Sequence, residues 1–425
     1  MTGFDELYAA AKDLPIIDWH NHLDMRMLAE DKPLGSLYEA WVKSDPYKHR
    51  AMRICGELER LITGTTGVSP AEEAGEPEKW AAWMRTLPKL VGNPVFAWAK
   101  MELEFLGLDA NAYLRGEGEN IMLSEWTPSK LLSRFKVEHM SPCVTAAQLG
   151  GTPAVPACNG RDVRGSSSVR IVPSLRMDAG DEVPEETLAR FHVCGCRVVD
   201  ISVDDAARLE TCFRPLSRVA AFAAAHGWTM LLHIGALRET SSRLRAAAGR
   251  AGGYAGMRSP VDPVAVAAFL DGLERNGRDA RCPGERGETP VVRRASGLPR
   301  TILLTLNPEA HAQLAVLAGS FVEDGVPGKV QLGPAWWWCD HAEGIRDVLE
   351  KQAAYGALST FVGMTTDSRS LLSFVRHDYF RRLFCRWLAD KVATGDFPDY
   401  PSLLLPLVEK VCYGNAAAMA RGKRL

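Results

Sequence analysis

The chain has 425 residues, 46% hydrophobic and 24% charged, with a formal net charge of −2. That composition is ordinary for a soluble globular enzyme, and the near-balanced charge removes any bulk electrostatic case for a nucleic-acid or membrane partner. The length suits one barrel of about 250 residues plus insertions.

Ten cysteines are scattered with no C-x-x-C pair, so neither a disulfide framework nor a structural zinc site is expected, and reduced thiols in a cytoplasm fit better. The start, MTGFDELYAAAKDLP, carries acidic residues and lacks an apolar run, so no signal peptide is read there. No apolar stretch is long enough for a membrane span. A homo-oligomer is compatible with all of this.

In chain order, short apolar, β-branched runs occur at 16–20, 137–140, 169–175, 196–202, 229–234, 301–306, 329–332 and 361–366. Buried parallel strands read as such near-continuous apolar runs with helices between them. Eight of them predict an α/β fold of the TIM-type (β/α)₈ kind, although counting alone leaves a doubly wound sheet open. Residues 1–25 supply the first strand, and 131–425 the rest of the barrel. Between them, 26–130 reads as a mostly helical insertion, because LGSLYEAWVKS and EKWAAWMRTLPKL space their apolar residues by three and four. The stretch 275–300 holds seven arginines, three prolines and four glycines with little periodicity, and reads as a long exposed loop. After the last run, Leu371, Leu372, Val375, Tyr379, Leu383 and Trp387 follow helical spacing, with Ser368 or Ser370 as cap.

Chemistry enters at the strand ends. In Pro15-Ile-Ile-Asp-Trp-His20-Asn-His22 two imidazoles stand two residues apart and face the same way, as shared ligands of one divalent metal must. Alone, this H-x-H reads more simply as two surface histidines. His233 ends the fifth run and Asp367 the eighth, where a structural histidine and a helix cap are the plainer readings. Together they sit at the strand ends where barrel active sites lie, and the first and eighth strands are neighbours, so a metal site is expected. Arg176, Arg238 and Arg369 stand at the same level; a guanidinium fork matches a carboxylate, which suggests an anionic substrate. Trp336 follows the seventh run and could cover a sugar face.

At these residues the chain resembles the uronate isomerase family of the amidohydrolase superfamily. The phrases that carry the resemblance are DWHNHL (18–23), SDPYKHRAMRICG (44–56), GNPVFAWAKMELEFLGL (92–108), HIGALR (233–238), TLNP (305–308), PGKVQLGPAWWW (327–338) and FVGMTTDSRSLLSFVRHDYFRRLFC (361–385). The resemblance implies a barrel enzyme that interconverts an aldohexuronate and a ketouronate through a cis-enediol, with one divalent metal ion, zinc first and manganese or iron as alternatives. It implies metal ligands at His20, His22 and Asp367, with His233 as ligand or proton carrier. It implies an active-site tyrosine at Tyr47, catalytic roles for Asp367 and Arg369, and substrate contacts from Arg176, Arg238 and Trp336. Two phrases depart from the family: Ser141-Pro-Cys-Val-Thr after the second strand, and Val199-Asp-Ile-Ser, where a histidine normally follows the aspartate. The alternatives are a metal-dependent hydrolase or decarboxylase of the same superfamily, or a silent sugar-acid-binding paralogue.

Overall fold

Strand β1 (Ile16–Asn21) is buried at every position, as a strand covered on both faces requires. In the computed structural model it heads a curled, parallel sheet whose strands follow chain order: β2 (Val137–Thr145), β3 (Ser174–Asp178), β4 (Val198–Val203), β5 (Thr229–Ile234), β6 (Arg300–Thr305) and β7 (Val330–Leu332). The structure describes residues 2–64, 74–151, 169–249, 252–277, 279–281, 292–294 and 296–422. Strands β4 and β5 are likewise buried at all six positions. Each such Val, Ile or Leu contributes roughly 1.5–3 kcal/mol by leaving water. Helices Phe213–Ala225, Pro263–Arg275, His311–Ala318 and Ala342–Tyr355 lie between successive strands, the alternation of a (β/α)₈ barrel.

The third apolar run is not one strand. Arg170–Ile171 pairs with β2, and the chain re-enters the sheet at Ser174. Pro173 stands in the break, and a proline has no N–H to give a ladder. Arg176 therefore lies inside β3 rather than after it.

The eighth run, 361–366, lies against β1 but forms no ladder among the described residues. Side chains do the joining instead. On the β7 side, Gln331 accepts from the Val362 amide at 3.1 Å and donates to the Thr360 carbonyl. On the β1 side, Asp18 is fully buried and accepts from the Thr366 amide at 2.7 Å, from the Thr365 and Thr366 hydroxyls, and from His377 at 3.1 Å. Two backbone bonds complete the seam, from the Asp367 amide to the His20 carbonyl and from the His22 amide to the Ser368 carbonyl. Gly363 shows why a regular strand fails here: its φ is +68°, and a Cβ would collide with the Val411 carbonyl.

Between β1 and β2 the regular elements among the described residues are helices, including α1 (Pro46–Ile54) and the longer helix Pro94–Leu106. After the seam, a 3₁₀ turn capped by Ser370 leads into the twenty-residue helix α2 (Val375–Thr394). Within 275–300, the short strands Asp279–Arg281 and Val292–Arg294 pair antiparallel, which corrects the expectation of a loop throughout; much of the remainder lies outside the described residues. Among the described residues seven cysteines are free thiols, but Cys194 is disulfide-bonded, which corrects the expectation of reduced thiols at that position. No described helix is long and apolar enough to cross a membrane.

Candidate active site

The register of the sheet sets the site. Arg176 of β3 lies beside Asp200 of β4, and Ser202 of β4 beside His233 of β5, so their side chains gather at one end of the barrel. β1 contributes His20, with His22 just beyond it, and the seam contributes Asp367. The Asp367 Oδ1 lies 3.1 Å from His20 Nε2 and 3.0 Å from His22 Nε2. Its other oxygen accepts from Trp336 Nε1 at 2.5 Å. Burial alone would raise the Asp367 carboxyl, but the two imidazoles hold it well below the usual carboxylate range. Asp367 has φ +48°, a left-handed conformation that aspartate tolerates better than most residues, at a cost of about 1 kcal/mol.

Asp200 is the second centre of charge and was missed from the sequence. It is fully buried, and it accepts from His233 Nδ1 at 2.7 Å and from Arg176 Nη1 at 2.6 Å. Burial opposes its charge, yet Arg176 and His233 drive its carboxyl well below the ordinary value. The Cys143 thiol lies between His20 Nδ1, at 3.3 Å, and Asp200, at 3.4 Å. His233 is buried, its imidazole is pushed down to about 4 by burial, and its Nε2 has no hydrogen-bond partner among the described residues. With Nδ1 fixed by Asp200, that buried nitrogen is an orphaned ligand atom.

Above these groups opens a cavity of about 330 Å³. Of the residues singled out in the sequence, His20, His22, Asp367, Trp336 and Tyr47 line it, together with Arg176, Arg238 and Arg369. His233 does not; it stacks behind His20 at 4.9 Å between ring centroids and against Trp336 at 4.3 Å. The three arginines differ in what they have left to give. Arg176 is bound to Asp200, and Arg238 donates to Asp204 and to Ser202, each at 2.8 Å. Arg369 forms no side-chain ion pair among the described residues, and desolvation lowers its pKa from the usual guanidinium value. A guanidinium that lines a cavity, is exposed and has no ion pair among the described residues is a ready partner for an anionic ligand.

Two imidazoles, a carboxylate and an orphaned third imidazole form a donor set that fits a divalent metal ion. His20, Asp200 and His233 also bring ligand atoms within 4.8 Å of one another, as do His20, His22 and Cys143. Fold and site together define a (β/α)₈ barrel protein with a histidine–carboxylate cluster at the strand ends.

Comparison with known proteins narrows this class. The chain matches the family model described as glucuronate isomerase over residues 3–205 and 290–419, and it belongs to that family. His233 and Arg238 lie between the two matched segments. It is 31% identical to the uronate isomerase of Caldicellulosiruptor saccharolyticus and 32% identical to that of Geobacillus thermodenitrificans, covering 96% of this chain and 94% of each relative. Solved structures share the fold. A uronate isomerase from Thermotoga maritima superposes with a TM-score of 0.78 at 23% identity, over 98% of this chain and 96% of that one. A glucuronate isomerase from Caulobacter crescentus gives 0.78 at 20% identity, over 98% and 94%.

Proposed function

We propose that the chain is a uronate isomerase that interconverts an aldohexuronate and the matching ketouronate, D-glucuronate with D-fructuronate or D-galacturonate with D-tagaturonate. The observation that carries this reading is the meeting, in one cavity, of His20, His22 and Asp367 with Arg369, which has no ion pair among the described residues, in a chain of this family.

His20, His22 and Asp367 would hold one divalent ion, with His233 reaching it through its orphaned Nε2; zinc suits these donors, and manganese or iron would also accept them. When bound, such an ion supplies positive charge that stabilises negative charge developing on substrate oxygens.

The remaining chemistry belongs to the side chains. The reaction moves a proton from C2 to C1 of the open-chain sugar through a cis-enediol. Asp367, held ionised by its imidazoles, takes the C2 proton and returns it at C1. Arg369 binds and polarises an oxygen next to the reacting carbons. Arg176 and Arg238 orient the sugar carboxylate and hydroxyls, with geometry fixed by their own carboxylate partners. Trp336 walls the cavity and steadies Asp367 by the bond from its indole. Tyr47 assists ring opening.

The test is an NMR time course of metal-loaded protein with D-glucuronate and, separately, D-galacturonate in D₂O. A ketouronate isomeric with the substrate is the expected product, its mass raised only by deuterium that enters where the transferred proton exchanges. Release of carbon dioxide, hydrolysis, or no turnover of either sugar would overturn the reading.

A further inference from the structure

Tyr47 stands in the first turn of α1, whose start is fixed by Asp45: its carboxylate accepts from the Tyr47 amide at 2.9 Å and the Lys48 amide at 3.4 Å. From there the Tyr47 hydroxyl donates to Asp340 Oδ2 at 2.7 Å. Arg376 of α2 donates to the same oxygen at 2.8 Å. The guanidinium of Arg376 also lies over the Tyr47 ring at 5.2 Å and the Trp98 ring at 4.9 Å, so the phenol is clamped on its face as well as at its tip. Tyr47 lines the site cavity, whereas Asp340 is 5% exposed and is not part of the cavity wall. A carboxylate is thus held one phenol away from the cavity.

We propose that Asp340 is a positioning residue behind Tyr47, and the proton acceptor of a two-membered relay that opens the sugar ring before isomerisation. The inference rests on the isomerase reading, because an aldohexuronate arrives as a closed pyranose and C2 chemistry needs the open aldehyde.

The step balances within the relay. The O1–H bond of the anomeric hydroxyl breaks and its proton goes to the Tyr47 oxygen, while the Tyr47 proton passes to Asp340. The electron pair left on O1 forms the C1=O bond, and the pair of the C1–O5 bond goes to O5. Asp340 then returns its proton to Tyr47, and Tyr47 gives its proton to O5. The net change is one proton moved from O1 to O5, with no external acid, base or oxidant.

Two features suit the pair to this work. Burial pushes the Asp340 carboxyl up to about 6, against the pull of Arg376 and Tyr47, so it can take and release a proton near neutrality. Burial and Asp340 together drive the Tyr47 hydroxyl well above its usual value, so the phenol passes protons in concert and does not rest as phenolate. The charged and titratable groups facing Asp340 are Arg376 and Tyr379 from α2, Tyr47 from α1, and Asp367 from the seam.

The experiment measures exchange between the α and β anomers of D-glucuronate by saturation-transfer NMR, alongside ketouronate formation, for the metal-loaded wild type and for Asp340→Asn, Asp340→Glu and Tyr47→Phe. Asp340→Asn keeps a hydrogen-bond acceptor for the phenol but cannot take its proton. The wild type should accelerate anomer exchange. Asp340→Asn and Tyr47→Phe should each lose about 100-fold of that acceleration with KM little changed, and Asp340→Glu should recover part of it. A wild type that leaves anomer exchange at its spontaneous rate overturns the relay, even if ketouronate forms. So does wild-type exchange in either Asp340→Asn or Tyr47→Phe. Tyr47→Phe keeps the ring contacts and so tests the phenol by itself, while Asp340→Glu, which keeps a carboxylate, tests the acceptor if Asp340→Asn fails to fold. Anomer exchange and ketouronate formation are read separately, so failure of the relay and failure of the isomerase reading are distinguishable.

Discussion

His233 and Asp200 face each other across adjacent strands, Nδ1 to Oδ1 at 2.7 Å, and this one bond decides which nitrogen of the imidazole is left for the site. A histidine whose Nδ1–H is donated to a carboxylate presents Nε2 as a bare lone pair. Asp200→Asn should therefore lower metal affinity by about 10- to 100-fold, measured by competition with a chromogenic chelator. The same change strands Arg176, whose guanidinium has Asp200 as its nearest acceptor. Wild-type affinity in Asp200→Asn would remove His233 from the ligand set.

Arg369 and Arg176 should separate cleanly under substitution. Arg369 carries no ion pair among the described residues, so Arg369→Lys should leave the melting temperature within a few degrees while raising KM about tenfold or more, because an ammonium cannot reproduce the fixed guanidinium fork on the substrate oxygen. Arg176→Lys should lower the melting temperature as well, since it weakens the pairing of a fully buried carboxylate. Steady-state kinetics and thermal unfolding of the two variants check this; equal KM for wild type and Arg369→Lys would contradict it.

The seam should be graded in stability. Asp18→Ala leaves buried donors on Thr366 and His377 without their acceptor and should cost about 3–5 kcal/mol in urea unfolding. Thr365→Val removes a hydroxyl that lies 2.7 Å from the His20 carbonyl and 3.0 Å from Asp18, either of which can take its one proton, and should cost about 1 kcal/mol. Similar losses from both would mean that Asp18 is not the centre of the seam.

Two buried groups pull the acid stability in opposite directions. His49 falls from an ordinary 6.5 to about 4 by burial, so the unfolded chain binds the proton first, and stability is lost as pH falls through that window. Asp340 rises from 3.8 to about 6, so the native state holds its proton longer, and that contribution is lost as pH rises from about 4 to about 6. Each effect amounts to at most about 3 kcal/mol. His49→Gln should flatten the acid loss and Asp340→Asn should steepen it, read as unfolding free energy between pH 4 and 7. Parallel curves for the wild type and both variants would refute this.

The sequence carried the barrel because parallel strands buried on both faces must be apolar along their length, as in VVDISV and TMLLHI. It also carried eight of the residues that line the cavity, most of them at or just past strand ends, with Tyr47 on α1 and Arg176 within β3. Two kinds of information stayed hidden. Pro173 and Gly363 interrupt runs that read as continuous, and their effect depends on neighbours distant in the chain. Asp200 and Asp340 were passed over because each sits inside an apolar or aromatic phrase, and their partners His233, Arg176, Tyr47 and Arg376 come from other elements. A buried Asp within a strand, with no polar neighbour in sequence, was the available signal for Asp200.

Asp367 belongs to the one barrel segment that no ladder holds, and this ties cofactor loading to the mechanics of the fold. An ion drawn between β1 and the seam would act as a removable clasp, joining edges that are otherwise held by an aspartate, a glutamine, two threonines and two backbone hydrogen bonds. By thermodynamic linkage, whatever binding energy the ion has for the closed form is subtracted from the tendency of residues 361–368 to peel away. Amide hydrogen–deuterium exchange at Thr366 and Asp367 should then slow with metal concentration well before exchange in β4 or β5 responds, making this seam the local gauge of occupancy.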